Sequence, residues 1–552
     1  MSKVIHAIAS LFLTISLVGC ITQPDSTNTT TNVPPNILVI VADDLGYTDI
    51  GAFGGEIKTP NLDKLAYSGT RLTNFHTGPS CAPTRAMLLT GTDNHLAGMG
   101  SQGSIHTEEQ KQSPAYQNRI LAEVPTVAEH LSELGYRTIT SAKWHVGSQP
   151  DALPNARGFD NSFVLLQGGG GHFDDTPLFE QHKKARWLEN DLPIELPANF
   201  YSSDFMTDKI LSYIDATPKG QPFFAYLGYT APHWPLQAPS ASIEKYREQY
   251  NDGWDALRGK RMLGAKQVGV VPEHTSAVEF EAGMKRWETL SEADKKIARA
   301  KMETYAAMVD RMDENVGRLI AHLDKRGKLD NTLIVFLSDN GAEAHEMEHF
   351  STNPQWIPAN FDNSVLSIGT RNSYTTLGPS WARATAAPFR GSKSKVSEGG
   401  IRVPAFIKLP KSKLTTDQQQ KPAEANIDGS YFRVMDLAPT FIELAGGAKQ
   451  RAIMGRSLLT RWRGGISPYT PNEAIAFETF GRRGVKKGNW KLLLQAEPYG
   501  TNEWQLYDLS KDPGEQNDLA IEHPKITNAL IEAWHTYAEK VGVILPGGPV
   551  SY

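Results

Sequence analysis

Cysteine is scarce in this sequence: among 552 residues, only Cys20 and Cys81 carry thiols. The two positions have separate explanations, so no disulfide within the chain is expected. The fold must therefore be held together by a hydrophobic core. Hydrophobic residues make up 40% of the chain and aromatic residues 9%, which is sufficient for such a core.

The sequence also lacks a strong excess of charge. A formal net charge of -5 over this length argues against a general binder of polyanions, and no nucleic-acid partner is expected. A local basic pocket remains compatible with that charge. No internal repeat is visible, and no stretch beyond the N-terminus is long and apolar enough to span a membrane. The length favours one large and one smaller domain.

The N-terminal segment differs from the rest of the chain. A basic start at Lys3 precedes a mostly apolar stretch over 4–18, which is short for a membrane span and predicts a signal peptide at 1–19. The run Leu-Val-Gly-Cys20 resembles a bacterial lipobox, which implies lipidation of Cys20; the alternative is an ordinary cleaved signal that contains a cysteine. Residues 20–35 are polar and predict a flexible tether. We therefore expect an exported lipoprotein, anchored through its lipid, in the bacterial outer membrane or periplasm.

Four predicted buried strands are each followed by polar or reactive side chains. The strands cover 36–42, 136–142, 222–229 and 332–338, and they are followed by Asp43 and Asp44, by Lys143 and His145, by His233, and by Asp339 and Asn340. Helical patterns lie between the strands, and this alternation predicts an α/β sheet that is covered on both faces. Since ligands bind beyond the carboxyl ends of the strands in such sheets, we expect these side chains to form a site.

Four of these residues offer only oxygen ligands: Asp43, Asp44, Asp339 and Asn340. Oxygen donors suit Ca²⁺ or Mg²⁺, whereas zinc sites usually recruit histidine or cysteine. Each motif alone also fits a structural role, because an aspartate pair often opens a loop and Asp-Asn-Gly is a common turn. Their occurrence at two strand ends favours a calcium-type site.

Cys81 lies in the run Gly78-Pro-Ser-Cys-Ala-Pro-Thr-Arg85, which continues through an apolar stretch to Thr90-Gly91. Pro83 suits a first helical turn, and good helix formers follow it, so a helix is predicted to begin near Cys81. A helix N-terminus favours negative charge and would suit a bound anion or an ionised hydroxyl. The plainer interpretation is a buried free cysteine at a helix start. The run itself resembles the sulfatase signature Cys-x-Pro-Ser/Thr-Arg…Thr-Gly, with threonine in place of the commoner serine.

The resemblance to the sulfatase family covers most of residues 36 to about 510 and is strongest toward the bacterial arylsulfatases. The other matching elements are Lys143-x-His145, His233 within Ala-Pro-His, and Lys393 before Glu398-Gly-Gly-x-Arg, with Lys395 as the rival of Lys393. The resemblance implies an alkaline-phosphatase-like fold, a large mixed sheet covered by helices, with a small C-terminal antiparallel sheet and a helix. The expected domains are a catalytic domain at 36–445 and a small α+β domain at 446–552.

The same resemblance implies a reaction and a role for each residue. A formylglycine-generating maturation enzyme would oxidise Cys81 to formylglycine (3-oxoalanine), whose hydrate attacks the sulfur of an aryl or sugar sulfate ester. Arg85 and Lys143 would hold the hydrate and the sulfate charge. His233 and Lys393 would act on the leaving oxygen, and His145 would assist the release of sulfate. The calcium ion of the family would bind the four oxygen donors named above.

Two alternatives to a sulfate ester hydrolase remain at this point. Relatives use the same aldehyde on phosphonate monoesters and phosphodiesters, and both kinds of substrate present a tetrahedral anion. A protein in which Cys81 is never oxidised would instead be a surface lipoprotein that only binds sulfated glycans. Bacterial maturation precedes export, which makes this second alternative a real one for a lipoprotein.

Overall fold

The computed structural model describes residues 34–102, 106–276, 278, 284–346, 354–413, 426–448, 450, 452–497 and 499–548. The predicted signal peptide at 1–19, the predicted lipidation site Cys20 and nearly all of the predicted tether at 20–35 lie outside these residues. The described residues belong to one unit of contacts, so the expected domain boundary after residue 445 stays a prediction. Within the described part, no helix has both the length and the apolar character needed to cross a bilayer.

The described chain alternates strands and helices. The strands are β1 Asn36–Ala42, β2 Thr70–Leu72, β3 Phe75–His76, β4 Arg137–Lys143, β5 Asn161–Leu165, β6 Trp187–Glu189, β7 Leu192–Pro193, β8 Phe223–Gly228, β9 Thr332–Ser338, β10 Ala405–Lys408, β11 Ile427–Asp428, β12 Phe432–Arg433, β13 Ala474–Thr479, β14 Arg482–Lys487, β15 Trp490–Leu494 and β16 Trp504–Asp508. The helices are α1 Pro60–Ser68, α2 Cys81–Thr90, α3 Glu108–Gln112, α4 Val127–Glu133, α5 Ser202–Asp215, α6 Ser240–Glu244, α7 Gly253–Gln267, α8 Glu292–Lys325, α9 Trp356–Asn360, α10 Pro379–Thr385, α11 Glu398–Ile401, α12 Leu437–Leu444, α13 Leu459–Trp462 and α14 Pro524–Val541.

A ten-stranded mixed sheet carries most of the fold. Its strand order is β11-β2-β10-β9-β1-β8-β4-β5-β6-β7. The five central strands, from β9 to β5, are parallel to one another. Their carboxyl ends therefore meet at one edge of the sheet. The predicted site residues that end or follow β1, β4, β8 and β9 lie at this edge.

Hydrophobic cores lie on both faces of this sheet. Leu38 and Ile40 of β1 pack in one core with Met312 and Val316 of α8, whereas Val39 packs in the other core with residues of α2, α4 and α12. Alternate side chains of a strand point to opposite faces, so a continuous apolar strand needs a cover on each side. The predicted fold class is confirmed in this respect.

Two helix starts show how local signals set the boundaries. Ser291-x-x-Asp294 resembles a capping box in the sequence. In the structure, the Ser291 hydroxyl caps α8 by accepting a hydrogen bond from the Asp294 backbone N–H at 3.1 Å. The sequence pattern predicts a helix at Val124–Leu134, but α4 begins at Val127, because Thr126 and Glu129 form a capping box there. The prediction missed this boundary because apolar periodicity alone does not locate a cap.

The C-terminal part forms a separate four-stranded antiparallel sheet in the order β13-β14-β15-β16. Thr479 pairs with Arg482, so only Phe480 and Gly481 connect β13 to β14, and both have positive φ angles of 60° and 79°. This geometry fits a tight two-residue hairpin. Helix α14 packs on the sheet through Trp534, and the predicted small sheet with its helix is thereby confirmed.

Candidate active site

Cys81 is the first residue of α2 and lies at the carboxyl edge of the large sheet. Its Sγ lies 3.5 Å from Asp43 Oδ1 and 3.6 Å from Asp44 Oδ1. Residue 80 is held next to this point, since Ser80 Oγ donates a hydrogen bond to Gln102 Oε1 at 2.7 Å. The start of the helix thus places the buried thiol directly against the two carboxylates that follow β1.

Two lysines from different parts of the chain pair with these carboxylates. Lys143 ends β4, and its Nζ lies 2.8 Å from both carboxylate oxygens of Asp43. Lys393 Nζ lies 2.9 Å from Asp44 Oδ2. All four side chains are buried. Because buried charges require partners at close range, the two ion pairs fix the lysines beside the thiol.

Arg85 lies one helical turn after Cys81 and joins three strand ends. Its Nε and Nη2 donate to Asp339 Oδ2 at 2.9 and 2.7 Å, and its Nη1 donates to the Lys143 backbone oxygen at 2.7 Å. Arg85 Nη2 also lies 3.8 Å from Asp43 Oδ1. The guanidinium therefore connects the ends of β1, β4 and β9 and orients the helix that carries Cys81.

Burial and charge shift the pKa values of these groups. Burial raises the pKa of the Asp43 carboxyl, and it raises the pKa of the Cys81 thiol well above its usual value. Burial alone would lower the pKa of Lys143 and raise that of Asp339, but neighbouring opposite charges outweigh it and shift both in the reverse direction. At neutral pH the lysine is thus charged and the thiol protonated.

Both predicted histidines lie at this centre. The His145 ring rests against Gly168, where an added Cβ would lie 2.6 Å from His145 Cε1. His233 donates from Nδ1 to the Trp234 backbone oxygen at 2.6 Å, which leaves its Nε2 3.6 Å from Asp44 Oδ2. Burial and the neighbouring lysines hold the pKa of both rings well below the usual value. Both histidines are therefore neutral in this structure.

Three residues of the centre adopt left-handed backbone conformations. The φ angles are 66° at Asp44, 56° at His145 and 69° at Ser394, which follows Lys393. Such conformations are unfavourable for residues other than glycine and tend to persist where function requires them. Each of the three either carries a side chain of the centre or, as with Ser394, directly follows a residue that does.

The four predicted metal ligands meet here as well. The Asp44 backbone N–H donates to Asp339 Oδ1 at 3.2 Å, and Asn340 Nδ2 donates to Asp44 Oδ1 at 2.6 Å. Asn340 Oδ1 is buried and has no hydrogen-bond partner among the residues that the structure describes. A buried oxygen without a partner, beside three carboxylates, fits a cation that prefers oxygen ligands.

An overlapping set of side chains also lies close enough to share an ion. One ligand atom from each of Asp43, Asp44, Cys81 and His233 lies within 4.8 Å of the others. The two sets have the aspartates after β1 in common. These aspartates are therefore the fixed part of the candidate metal site, and the remaining donors decide between an oxygen-preferring ion and zinc.

Comparisons with known proteins agree with this geometry. A family model described as Sulfatase matches residues 35–448. An uncharacterized sulfatase of Schizosaccharomyces pombe is 41% identical over 534 residues, which cover 92% of this chain and 94% of that protein. An arylsulfatase of Klebsiella aerogenes is 37% identical over 440 residues, which cover 79% of this chain and 92% of that protein. The crystal structure of Ps i-CgsB in complex with k-i-k-neocarrahexaose superposes with a TM-score of 0.64 at 25% identity, covering 92% of this chain and 93% of that one.

The chain belongs to the sulfatase family. Its predicted class, a sulfuric ester hydrolase, is thereby confirmed. The large sheet of this sulfatase brings together every residue predicted from the family resemblance, namely Cys81, Arg85, Lys143, His145, His233 and Lys393 with Asp43, Asp44, Asp339 and Asn340.

The sulfatase structure also separates the two lysines that the sequence left as rivals. The Lys393 side chain is buried and reaches Asp44, whereas Lys395 is partly exposed. Glu343, absent from the predicted set, lies with its Oε2 3.0 Å from Lys393 Nζ. The available sequence signal is its position three residues after the predicted ligand Asn340.

A second residue absent from the predicted set, His172, holds the backbone of His233 in place. Its Nε2 donates to the His233 backbone oxygen at 2.9 Å, and the Ser202 hydroxyl lies 2.7 Å from its Nδ1. Burial lowers the pKa of His172 to about 4, so the ring is neutral. A lone histidine in a loop carries no recognisable sequence pattern, which is why this contact emerges only from the structure.

Proposed function

We propose that this sulfatase hydrolyses aryl or sugar sulfate monoesters with a nucleophile made from Cys81. The observation that carries the proposal is the position of Cys81 at a helix start, with Arg85, Lys143 and Lys393 gathered around the two aspartates that it contacts. Three preorganised cations suit a transition state whose negative charge is spread over the oxygens of one small group. The Klebsiella relative is named an arylsulfatase, which supports an aryl leaving group. The structure of Ps i-CgsB contains a sugar ligand, which supports a sugar leaving group.

The chemistry of the thiol supports its conversion to formylglycine by a maturation enzyme. Burial raises the pKa of Cys81 well above its usual value, so the unmodified side chain is a protonated thiol and a poor nucleophile. The hydrated aldehyde supplies a hydroxyl nucleophile at the same position, next to the helix N-terminus and the metal site. Asp43 and Asp44 lie within 3.6 Å of that position and are placed to orient such a hydroxyl.

The metal that fits best is calcium, held by Asp43, Asp44, Asp339 and Asn340. When bound, the ion would supply positive charge to a sulfate oxygen and to the attacking hydroxyl. The buried Asn340 Oδ1, which lacks a partner in the described part of the chain, supports an oxygen ligand set. Magnesium is the second choice, because it demands stricter geometry and more water ligands.

Two histidines are placed to move protons. The Nδ1 atom of His145 is buried without a hydrogen-bond partner among the described residues, and the neutral ring can accept a proton there. His233 presents Nε2 toward Asp44. Burial and the charges of Lys143 and Lys393 together lower the pKa of His233. A bound sulfate group would offset the lysine charges and so favour a proton on Nε2, from which it can pass to the leaving oxygen.

A phosphonate monoester or phosphodiester hydrolase on the same site is the competing function. Sulfate monoesters present three non-bridging oxygens to the cations, whereas diesters present two and need room for a second substituent. The test is kcat/KM on a matched aryl sulfate, aryl phosphonate monoester and bis-aryl phosphate. We expect the sulfate to be preferred, and a clear preference for either phosphorus compound would transfer the assignment to the phosphorus ester.

We further propose that the protein is anchored through lipidated Cys20, as the lipobox resemblance implies. More than one buried acyl chain gives a stable anchor. Cys20→Ala should abolish lipid attachment, measured by metabolic labelling with a fatty acid. Equal labelling of Cys20→Ala and the parent would contradict this proposal, and so would unmodified mature protein released into the medium.

A further inference from the structure

The loop that carries Lys393 is held between the nucleophile and the C-terminal sheet. On one side, the Ser394 backbone N–H donates to the Pro79 oxygen at 2.6 Å, two residues before Cys81. On the other side, Arg482, the first residue of β14, donates from Nη1 to the Ser394 backbone oxygen. The two hydrogen bonds thus hold both the N–H and the carbonyl group of Ser394.

We infer that Arg482 is a positioning residue that acts through Ser394 to hold Lys393 beside Asp44 and Cys81. The inference rests on the proposed function, in which Lys393 stabilises the leaving oxygen. It assigns the C-terminal sheet a direct part in the geometry of the active site, although no side chain of that sheet touches Asp43 or Asp44 in the contacts of the described residues.

Arg482 is itself held rigidly. It follows the two-residue turn Phe480-Gly481, and the Gly481 backbone N–H donates to Glu478 Oε1 at 2.5 Å. Its guanidinium carbon lies 5.7 Å from the centre of the Phe480 ring and 4.9 Å from that of the Tyr499 ring. The guanidinium is buried and lies against both rings, which restricts the directions in which its planar group of donors can point.

These two hydrogen bonds are important because Ser394 has a left-handed backbone conformation, with φ of 69°. Such a residue returns to an extended or helical conformation unless its neighbours hold it. Lys393, one residue earlier, is anchored by its own backbone N–H to Ala342, and Val396 donates to Gln495 Oε1 at 3.3 Å. Loss of the Arg482 contact would leave the Ser394 backbone oxygen without its donor from the C-terminal sheet and would displace the Lys393 ammonium group.

The experiment uses the full mature enzyme and a series of aryl sulfates whose phenols differ in acidity. Arg482→Met removes the donor, and Arg483→Met is the matched control. Arg483 is the next residue of the same strand, and its guanidinium lies over Trp504 and Trp534, on the side away from the Lys393 loop. Lys393→Ala and the double variant of Lys393 and Arg482 complete the set, and circular dichroism and Tm report folding.

We expect Arg482→Met to lower kcat by about 10- to 100-fold with a much smaller change in KM, because small displacements of a positioned group have effects of this size. The loss should grow as the leaving phenol becomes less acidic, as it should for Lys393→Ala. Adding Arg482→Met to Lys393→Ala should then have no further effect on kcat. Arg483→Met should keep the parental dependence on the leaving group.

A loss of kcat that is equal for all phenols, or that multiplies with the loss in Lys393→Ala, would overturn the inference. If Arg482→Met fails to fold, Arg482→Lys takes its place, because lysine keeps the charge but lacks the planar guanidinium. A steeper dependence of kcat on the acidity of the leaving phenol in this variant supports the inference. A parental dependence overturns it. If Lys393→Ala itself shows no such dependence, the proposed role of Lys393 fails and the inference falls with it. If kcat depends more steeply on the acidity of the leaving phenol in Lys393→Ala but in neither Arg482 variant, the inference about Arg482 fails while the proposed role of Lys393 stands.

Discussion

Two buried clusters of charge in this molecule both combine histidine with carboxylates, but they differ in how completely their polar atoms are paired. In the first, the closed cluster, His95 lies between Asp93 and Glu478, at 3.0 and 2.8 Å. Tyr537 donates to the other oxygen of Asp93, and the Gly481 backbone N–H donates to the other oxygen of Glu478. Every carboxylate oxygen of the closed cluster thus has a donor from the protein.

The active centre is paired less completely. Within the described residues, Asn340 Oδ1 and His145 Nδ1 are buried without a hydrogen-bond partner. His233 Nε2 faces Asp44 Oδ2 at 3.6 Å, although the Nδ1 hydrogen bond leaves a neutral ring with an acceptor there. Burial and charge are common to both clusters, so the unsatisfied groups are what distinguish a site prepared for ligands from a structural one.

The largest difference between the clusters should appear when Cys81 is removed. Cys81→Ala should lower kcat for an aryl sulfate by about 10⁴-fold or more, because no other residue is placed to supply the nucleophile. Circular dichroism and Tm should remain close to those of the parent. Cys81→Ser should be equally inactive in a host that oxidises only cysteine, and parental turnover by either variant would refute the mechanism.

The next largest difference between the active centre and the closed cluster should be their effect on metal content. Elemental analysis of active protein should find about one calcium per chain, and Asp44→Asn should lose it together with about 100-fold or more of kcat. Added calcium should raise the Tm of the parent but not that of Asp44→Asn, because only a bound ligand stabilises the fold.

Asp93→Asn, in the closed cluster, is the control for the metal experiment. It removes a buried carboxylate and should lower Tm while leaving the calcium content unchanged. Stoichiometric zinc without calcium or magnesium in the parent would show that the ligand set is wrong.

Glu343 offers a finer test inside the active centre. It lies 3.0 Å from Lys393 Nζ, so Glu343→Gln should weaken the hold on Lys393 and lower kcat by about tenfold, with KM less affected. Glu346→Gln changes an exposed residue of the same segment and serves as the control. Equal kcat values for the two variants would exclude a role for Glu343 in placing the lysine.

The smallest effect on activity is expected in the closed cluster, where stability should respond to pH. Burial alone would lower the pKa of His95, but hydrogen bonds to Asp93 and Glu478 outweigh it and raise the pKa to about 9 from 6.5. The charged form is therefore preferred in the folded state. Its stabilisation is complete below about pH 6.5 and is lost as the pH rises toward 9, up to about 3 kcal/mol.

Urea unfolding of the parent and of His95→Gln at several pH values measures this contribution. The free energy of unfolding should fall more steeply between pH 6.5 and 9 in the parent than in the variant. The kcat of the variant at neutral pH should stay near the parental value. Parallel pH profiles would mean that His95 is not charged in the folded protein.

Much of the large sheet and most of the active centre follow from the sequence. The strands at 36–42 and 332–338 have the predicted bounds, because continuous apolar runs next to turn residues mark buried parallel strands. The Lys393 loop was found through a family motif, whereas its support by Arg482 was not. That contact joins residues 88 positions apart through a backbone oxygen and leaves no pattern in the sequence.

The left-handed residues were equally beyond prediction. Asp44, His145 and Ser394 are ordinary residue types for a loop, and only the packing around them imposes a positive φ. Glu343 was accessible in principle, since it follows the predicted ligand Asn340 closely, but nothing in its spacing shows that it reaches a lysine 50 residues later. Local patterns thus predicted which strands carry the site, and tertiary contacts determined how its charges are oriented.

The most direct measurement is the mass of the peptide that contains Cys81, taken from protein whose specific activity on an aryl sulfate is known. Conversion to formylglycine replaces the sulfur and two hydrogens of the side chain with one oxygen. We predict that the converted peptide is present and that its fraction rises in proportion to the specific activity among preparations made with more or less maturation enzyme. Full activity in protein whose Cys81 peptide has only the mass of unmodified cysteine would contradict the mechanism.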